Sequence, residues 1–330
     1  MKLFSIAFAH FVIAADKTAY GCNSKRKGWL TGLNEDRAFD EAAQCTGARL
    51  RTVLLRLPPS VKAAAQEIRL RCGRPLLVRL PDSEITFTSA GQMSYLPTKP
   101  MLCVQQADIE ECFHLVCGFS VHTHQQQLCD GFVTVAGGHR VGIAGTAVCR
   151  GGAITSVREL SSMNIRIARE HVGCAQVLFD AIRLSGFRSF LLAGPPCTGK
   201  TTLLRDLARL LGGVCGKSTA VLDERGELAA CVNGVPQNSF GLSCDVLTGY
   251  PKREAVEIAL RCLSPDFVVT DEVSRLSEVE AMESGFHSGA AFFLSVHART
   301  PQELRQKQTA RRLLESGVFG GAFFCGIAAD

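Results

Sequence analysis

The sequence predicts an α/β protein in which a parallel sheet with helices on both faces follows a smaller α+β domain. Three observations carry this. From about residue 175 a helix (175–185) leads into short apolar runs at 187–193, 218–222, 267–270 and 291–296, each separated from the next by helix-forming sequence. Runs of this length without polar alternation are strands buried on both faces, and strands alternating with helices make a parallel sheet. Next, the eight residues Gly194-Pro195-Pro196-Cys197-Thr198-Gly199-Lys200-Thr201 spell G-x-x-x-x-G-K-[ST] between the first strand and a helix-forming run at 202–211. That strand–loop–helix context is what a phosphate-binding loop requires. Finally, the region before residue 175 has a different grammar, with glycine-punctuated strands in sequence.

The first 48 residues show no sustained period and read as a poorly ordered extension. Within them 3–15 is apolar like the middle of a signal peptide, yet too short to span a bilayer, which takes about 20 apolar residues. A helix is predicted over 58–71, with Val61, Ala64, Ala65, Ile68 and Leu70 on one face. Pro75 breaks it, and 76–80 with 85–88 read as paired strands. A second helix follows at 108–119. Then 131–157 alternates valine and isoleucine around Gly137-Gly138, Gly142, Gly145 and Gly151-Gly152, an antiparallel meander with glycine turns. The domains predicted are therefore 1–48 as an extension, 49–172 as α+β, and 173–330 as the phosphate-loop domain.

Composition sets limits. Of 330 residues 46% are hydrophobic and 20% charged, which is a globular chain with a sizeable core. A net charge of +5 is mild and does not demand nucleic acid. The 15 cysteines contain no C-x-x-C. Cys112 and Cys117 with His122 and His124 match no common zinc spacing, so free thiols are expected.

The chemistry centres on the loop. Gly194 and Gly199 let the backbone curl so that N–H groups turn toward phosphate oxygens, and the helix that follows adds the positive end of its dipole. The predicted nucleotide contacts are Gly194, Pro195, Pro196, Cys197, Thr198, Gly199, Lys200, Thr201 and Thr202. Lys200 is placed to reach the β- and γ-phosphates and Thr201 to bind Mg²⁺. The run 267–270 ends in Asp271-Glu272, the second half of an ATPase site. Asp271 is the predicted Mg²⁺ carboxylate, and Glu272 the residue that orients and deprotonates the attacking water. Ser295 and His297 end the next strand, at the edge where a parallel sheet binds its ligands. There His297 either senses the γ-phosphate or satisfies a loop carbonyl. Asp223-Glu224-Arg225-Gly226-Glu227 ends another strand. Arg225 is a candidate for stabilising transition-state charge, within the chain or toward a neighbour, with Arg261 and Arg275 as further arginines near the site. The expected ligands are ATP and Mg²⁺.

Several blocks together resemble the stage III sporulation protein AA family of endospore-forming Firmicutes. They are 131–145 with its Gly137-Gly138-His139-Arg140 core, 154–170 with Asn164 to Glu170, the phosphate loop, Asp223-Glu224-Arg225, Asp245-Val246-Leu247 with Pro251-Lys252, and Ser264-Pro265-Asp266 leading to Asp271-Glu272. The likeness covers about residues 50–320. It implies a RecA/AAA+-type P-loop ATPase similar to type II and type IV secretion ATPases, assembled as a ring homo-oligomer, typically a hexamer. It also implies a mother-cell, cytoplasmic location at the inner face of the outer forespore membrane. Its partners there would be integral-membrane proteins of a channel complex. The first 48 residues have no counterpart in the family, the segment Gly320–Gly326 departs from its pattern, and Ser295 and His297 match only approximately. The alternative weighed is a nucleotide-regulated nucleic-acid-binding protein, against which stand the low charge and the lack of an aromatic–basic stripe. A GTPase is excluded by the lack of Asn-Lys-x-Asp. A metabolite kinase fits poorly with an Asp-Glu pair suited to activating water.

Overall fold

A computed structural model describes residues 31–97, 100–118, 124–214, 217–286 and 288–325. The apolar stretch 3–15, the rest of the predicted extension up to residue 30, and His122 lie outside the described residues. Two compact units meet in sequence between Arg169 and Glu170.

The first unit carries α1 (Thr31–Ala43), α2 (Ala48–Leu54), α3 (Pro59–Ala64), α4 (Gln106–Val116) and α5 (Gln125–Cys129). Its strands are β1 (Glu67–Arg71), β2 (Leu77–Arg79), β3 (Glu84–Phe87), β4 (Met93–Ser94), β5 (Phe132–Thr134), β6 (Arg140–Arg150) and β7 (Ala153–Arg166). They form one sheet in the order β4-β3-β2-β1-β7-β6-β5, and every neighbouring pair is antiparallel. Phe39, Leu50, Leu54, Ile68, Val78, Ile85, Ile109 and Ile165 share its core.

Two sequence expectations give way here. Residues 31–48 are not a tail: α1 buries Phe39, Ala42 and Ala43, spaced i, i+3, i+4 on one helical face. Three apolar positions are too few to show as a period, and tertiary packing supplies what the pattern lacks. The helix expected over 58–71 stops at Ala64. Glu67–Arg71 is instead strand β1, with Ile68 and Leu70 buried between less buried Glu67, Arg69 and Arg71, an alternation of period two that a helical count absorbs. The block around His139 serves the fold. Its ring is fully buried, Nδ1 accepts the Ala168 N–H at 3.0 Å, and burial pulls its pKa down to about 4.

The second unit holds α6 (Gln176–Leu184), β8 (Ser189–Gly194), α7 (Lys200–Val214), β9 (Thr219–Asp223), β10 (Cys244–Thr248), α8 (Lys252–Ile258), β11 (Phe267–Glu272) and α9 (Leu276–Phe286). It ends with β12 (Ala291–His297), α10 (Pro301–Gln306), α11 (Gln308–Glu315) and β13 (Phe319–Phe324). The six strands run β10-β9-β11-β12-β8-β13, all parallel. Side-chain alternation splits them between two cores. Leu191, Ala220, Leu222, Val268, Phe292 and Leu294 pack with α8, α9 and α11 residues, while Leu192, Val221, Phe267, Val269 and Phe293 pack with α6 and α7 residues. Both faces are therefore covered, as uninterrupted apolar strands require. The altered segment after Phe319 forms edge strand β13: Phe323, Phe324 and Cys325 are buried, and the Cys325 N–H donates to the Ala193 carbonyl at 2.8 Å. Among the described residues no helix is long and apolar enough to cross a membrane.

If α1 is an integral part of the first unit, Phe39→Ala should cost roughly 3–5 kcal/mol. Denaturant unfolding followed on that unit measures this, and an unchanged midpoint would return the segment to the status of a tail.

Candidate functional site

Parallel strands bring their C-terminal ends to one edge, and the predicted site residues sit on four adjacent ends there. β8 ends in the phosphate loop. Gly194 is required by close approach: a Cβ on it would lie 2.7 Å from the Cys325 carbonyl oxygen and 2.9 Å from Thr198 Oγ1. Gly199 turns the chain into α7 at φ +86°, and Cys197, exposed at the loop's tip, takes φ +63°, a left-handed conformation that costs a side-chain-bearing residue of order 1 kcal/mol. Thr198 Oγ1 donates to the Pro195 carbonyl at 2.8 Å and fixes the curl. Lys200 is buried and its Nζ donates to the carbonyls of Gly194 at 2.8 Å and Pro195 at 2.6 Å. It thus folds back on its own loop. Burial lowers its pKa, while Glu272 counts among the negative groups that oppose the shift. Thr201 and Thr202 lie half-buried in the first turn of α7.

β11 carries the carboxylates. Its pairing with β12 matches Thr270 to Leu294 and Glu272 to Ser295, so Asp271 is the extra residue of a bulge. A bulge re-aims consecutive side chains, and here Asp271 and Glu272 find different partners. Asp271 is buried and ion-paired to Lys252 Nζ, which also donates to the Glu272 backbone carbonyl. Burial pushes Asp271 above the usual carboxylate range and Lys252 opposes the shift. Glu272 reaches the other way, with Oε2 2.9 Å from His297 Nε2. The ring therefore donates through Nε2, while Nδ1 is buried and has no hydrogen-bond partner among the described residues. His297 is paired in register with Gly194, so it stands between the phosphate loop and Glu272. Ser295 is buried beneath it, and its carbonyl accepts the Val273 N–H at 3.1 Å.

Asp223, at the end of β9, serves the loop after it. Its carboxylate accepts the N–H groups of Glu227 (2.7 Å), Leu228 (3.0 Å) and Ala229 (2.7 Å), while Arg205 on α7 donates to the Glu227 and Leu228 carbonyls. That pinned loop presents Arg225 to a pocket of about 110 Å³ lined by Glu224, Arg225, Lys252, Asp271, Glu272, Ser274, Arg275 and Glu278. Arg225 and Arg275 thus share one rim; Arg261, exposed, is not part of that lining. Glu278 caps α9, accepting the N–H groups of Ser274 and Arg275.

The residue missed from sequence is Lys252. It opens α8, the end of a helix where the dipole disfavours a cation, and Pro251 before it marks that start. A lysine at a marked helix N-terminus is the signal that it answers to something else.

Magnesium takes hard oxygen donors, commonly one or two carboxylates completed by phosphates and water. The Thr201 hydroxyl and the Asp271 carboxylate are donors of that kind. Among the described residues no group of three or more His, Cys, Asp or Glu side chains could hold a metal ion. The described cysteines are free thiols, with Cys112 and Cys117 buried.

A family model described as sporulation stage III, protein AA, matches residues 36–327, so residues 36–48 do have a counterpart in the family, against the expectation from sequence. Stage III sporulation protein AA of Bacillus subtilis (strain 168) is 33% identical over 290 residues, 85% of this chain and 89% of that protein. The uncharacterized protein ycf45 of Cyanidium caldarium is 25% identical over 154 residues, 46% of this chain and 45% of its own length. Among solved structures, the pilus retraction motor PilT with bound ADP aligns over 79% of this chain and 74% of its own, at TM-score 0.50 and 17% identity. At that identity the likeness shows the fold alone: an α/β unit of the P-loop type preceded by a smaller domain.

Cys197 stands exposed at the centre of the loop, so alkylation there should abolish nucleotide binding, and ATP should slow the reaction. Mass spectrometry of labelling with and without ATP checks this. Labelling at Cys197 that ATP does not slow contradicts the placement.

Proposed function

The chain belongs to the stage III sporulation protein AA family, and from that premise we propose that it is an ATP-binding, ATP-hydrolysing motor of a channel complex between mother cell and forespore. The observation that carries the hydrolytic reading is the Glu272–His297 contact at 2.9 Å, on the two successive strand ends next to the one that carries the phosphate loop. A carboxylate held at the γ-phosphate end of such a site by a neighbouring imidazole is suited to activate water.

The geometry supports a set of roles. Backbone N–H groups of the loop and α7 hold the phosphates, with Lys200 released from the Gly194 and Pro195 carbonyls to reach the β- and γ-oxygens. Thr201 and Asp271 would hold Mg²⁺, which would neutralise charge on the phosphates. Glu272 takes a proton from water as the water oxygen bonds to the γ-phosphorus and the bond to the β-phosphate oxygen breaks, leaving ADP and phosphate. His297 orients Glu272 through Nε2. Arg225 and Arg275, on one rim, are placed to meet charge developing on the phosphates within the chain or across a subunit boundary.

We propose further that the chain assembles as a ring of copies, a hexamer, in the mother-cell cytoplasm at the inner face of the outer forespore membrane. Hydrolysis would move the first unit against its neighbours as a rigid body and so drive integral-membrane partners.

Lys200→Ala should abolish ATP binding measured at equilibrium. Glu272→Gln should keep binding and lower phosphate release by ~10²-fold or more. Wild-type turnover in Glu272→Gln would place the base elsewhere, and wild-type binding in Lys200→Ala would remove the loop from the site.

A further inference from the structure

We infer that Lys252 is an internal cation that holds Asp271 in the nucleotide-free chain and gives it up to the metal that a nucleotide brings. The inference rests on the ATP-hydrolysing reading of this site and adds to it a positioning residue.

Lys252 is almost wholly buried, with 4% of its surface exposed, although it is the first residue of α8, where the helix dipole repels a cation. A buried ammonium needs an anion in contact. It has one: Nζ donates to Asp271 Oδ1 and also to the backbone carbonyl of Glu272. One ammonium therefore ties together the metal carboxylate and the residue that activates water. Glu278, the other buried carboxylate of the pocket, is committed to the N–H groups at the start of α9. Asp271 is thus the anion that balances Lys252.

That balance conflicts with metal binding. A divalent ion on Asp271 and an ammonium in contact with the same carboxylate repel each other, more strongly for being out of water. The two occupants are alternatives. Without nucleotide the ammonium wins, because the protein alone offers the metal only a hydroxyl and one carboxylate. With nucleotide the phosphates complete the metal's shell and Lys252 is released from Asp271, toward Glu224 on the same pocket wall. Its second contact, on the Glu272 carbonyl, then changes with the first. Arrival of the metal is so conveyed to the backbone of the catalytic carboxylate and to the start of α8.

ATP affinity measured in EDTA and in Mg²⁺ tests this, on wild type, Lys252→Met and Lys252→Gln. Relief of the competition should raise the benefit of Mg²⁺, the ratio of the two affinities, by about tenfold in either variant. A residue that only supports the fold would weaken both affinities alike and leave the ratio at its wild-type value, which overturns the inference. Should neither variant fold, the Lys252 side-chain NMR resonance of the wild-type chain decides. It should move when Mg²⁺ joins bound ATP, and a resonance insensitive to the metal overturns the inference as well. Wild type that binds ATP with an unchanged ratio in the variants sinks this inference alone. Wild type that binds no ATP under either condition removes the functional reading beneath it too.

Discussion

Six parallel strands ending on one edge are the constraint from which the rest of the second unit follows. Because β8, β9, β11 and β12 point the same way, Gly194, Asp223, Asp271 and His297, separated by up to a hundred residues of chain, become neighbours without any loop having to reach far. The same parallelism buries both sheet faces and divides Phe292 from Phe293 and Val268 from Val269 between two cores. It also concentrates polar residues at the one place where the strands run out of apolar sequence. A chain that puts its charges there must then find partners for each of them.

Each of them finds partners within the chain. Lys200 is satisfied by its own loop's carbonyls, Asp223 by three backbone N–H groups, Asp271 by Lys252, and Glu272 by His297. Of these, Asp271 with Lys252 is the buried ion pair, and removing one member of such a pair typically costs roughly 3–5 kcal/mol because it strands the other charge. At least two of them, at Lys200 and at Asp271, stand where the proposed function puts nucleotide and metal. A ligand therefore exchanges contacts at this edge instead of adding to empty space. That is how binding chemistry can be turned into a change of backbone contacts at β11 and α8.

How much of this was legible in the sequence varied with the length scale of the signal. The phosphate loop, the Asp271-Glu272 strand end and the parallel sheet were readable because local motif and burial on both faces leave marks within ten residues. Strand β10 lies at the sheet edge and is only half-buried, and β13 is rich in glycine, so neither shows an apolar run. Helix α1 was missed because packing, not periodicity, holds Phe39 in place. The two halves of 58–71 were merged because Val61, Ala65 and Ile68 fit a helix as well as Ile68 and Leu70 fit a strand. Lys252 was hidden because its role depends on Asp271, nineteen residues away in sequence, and only the fold brings the two into contact.

The central claim, a hydrolysing site that works within an assembly, is tested most directly by ATP turnover per chain across a range of protein concentrations, with molecular mass recorded at each. The account predicts turnover that rises with concentration and follows the appearance of a ring-sized species. A monomer whose turnover per chain is independent of concentration would contradict it.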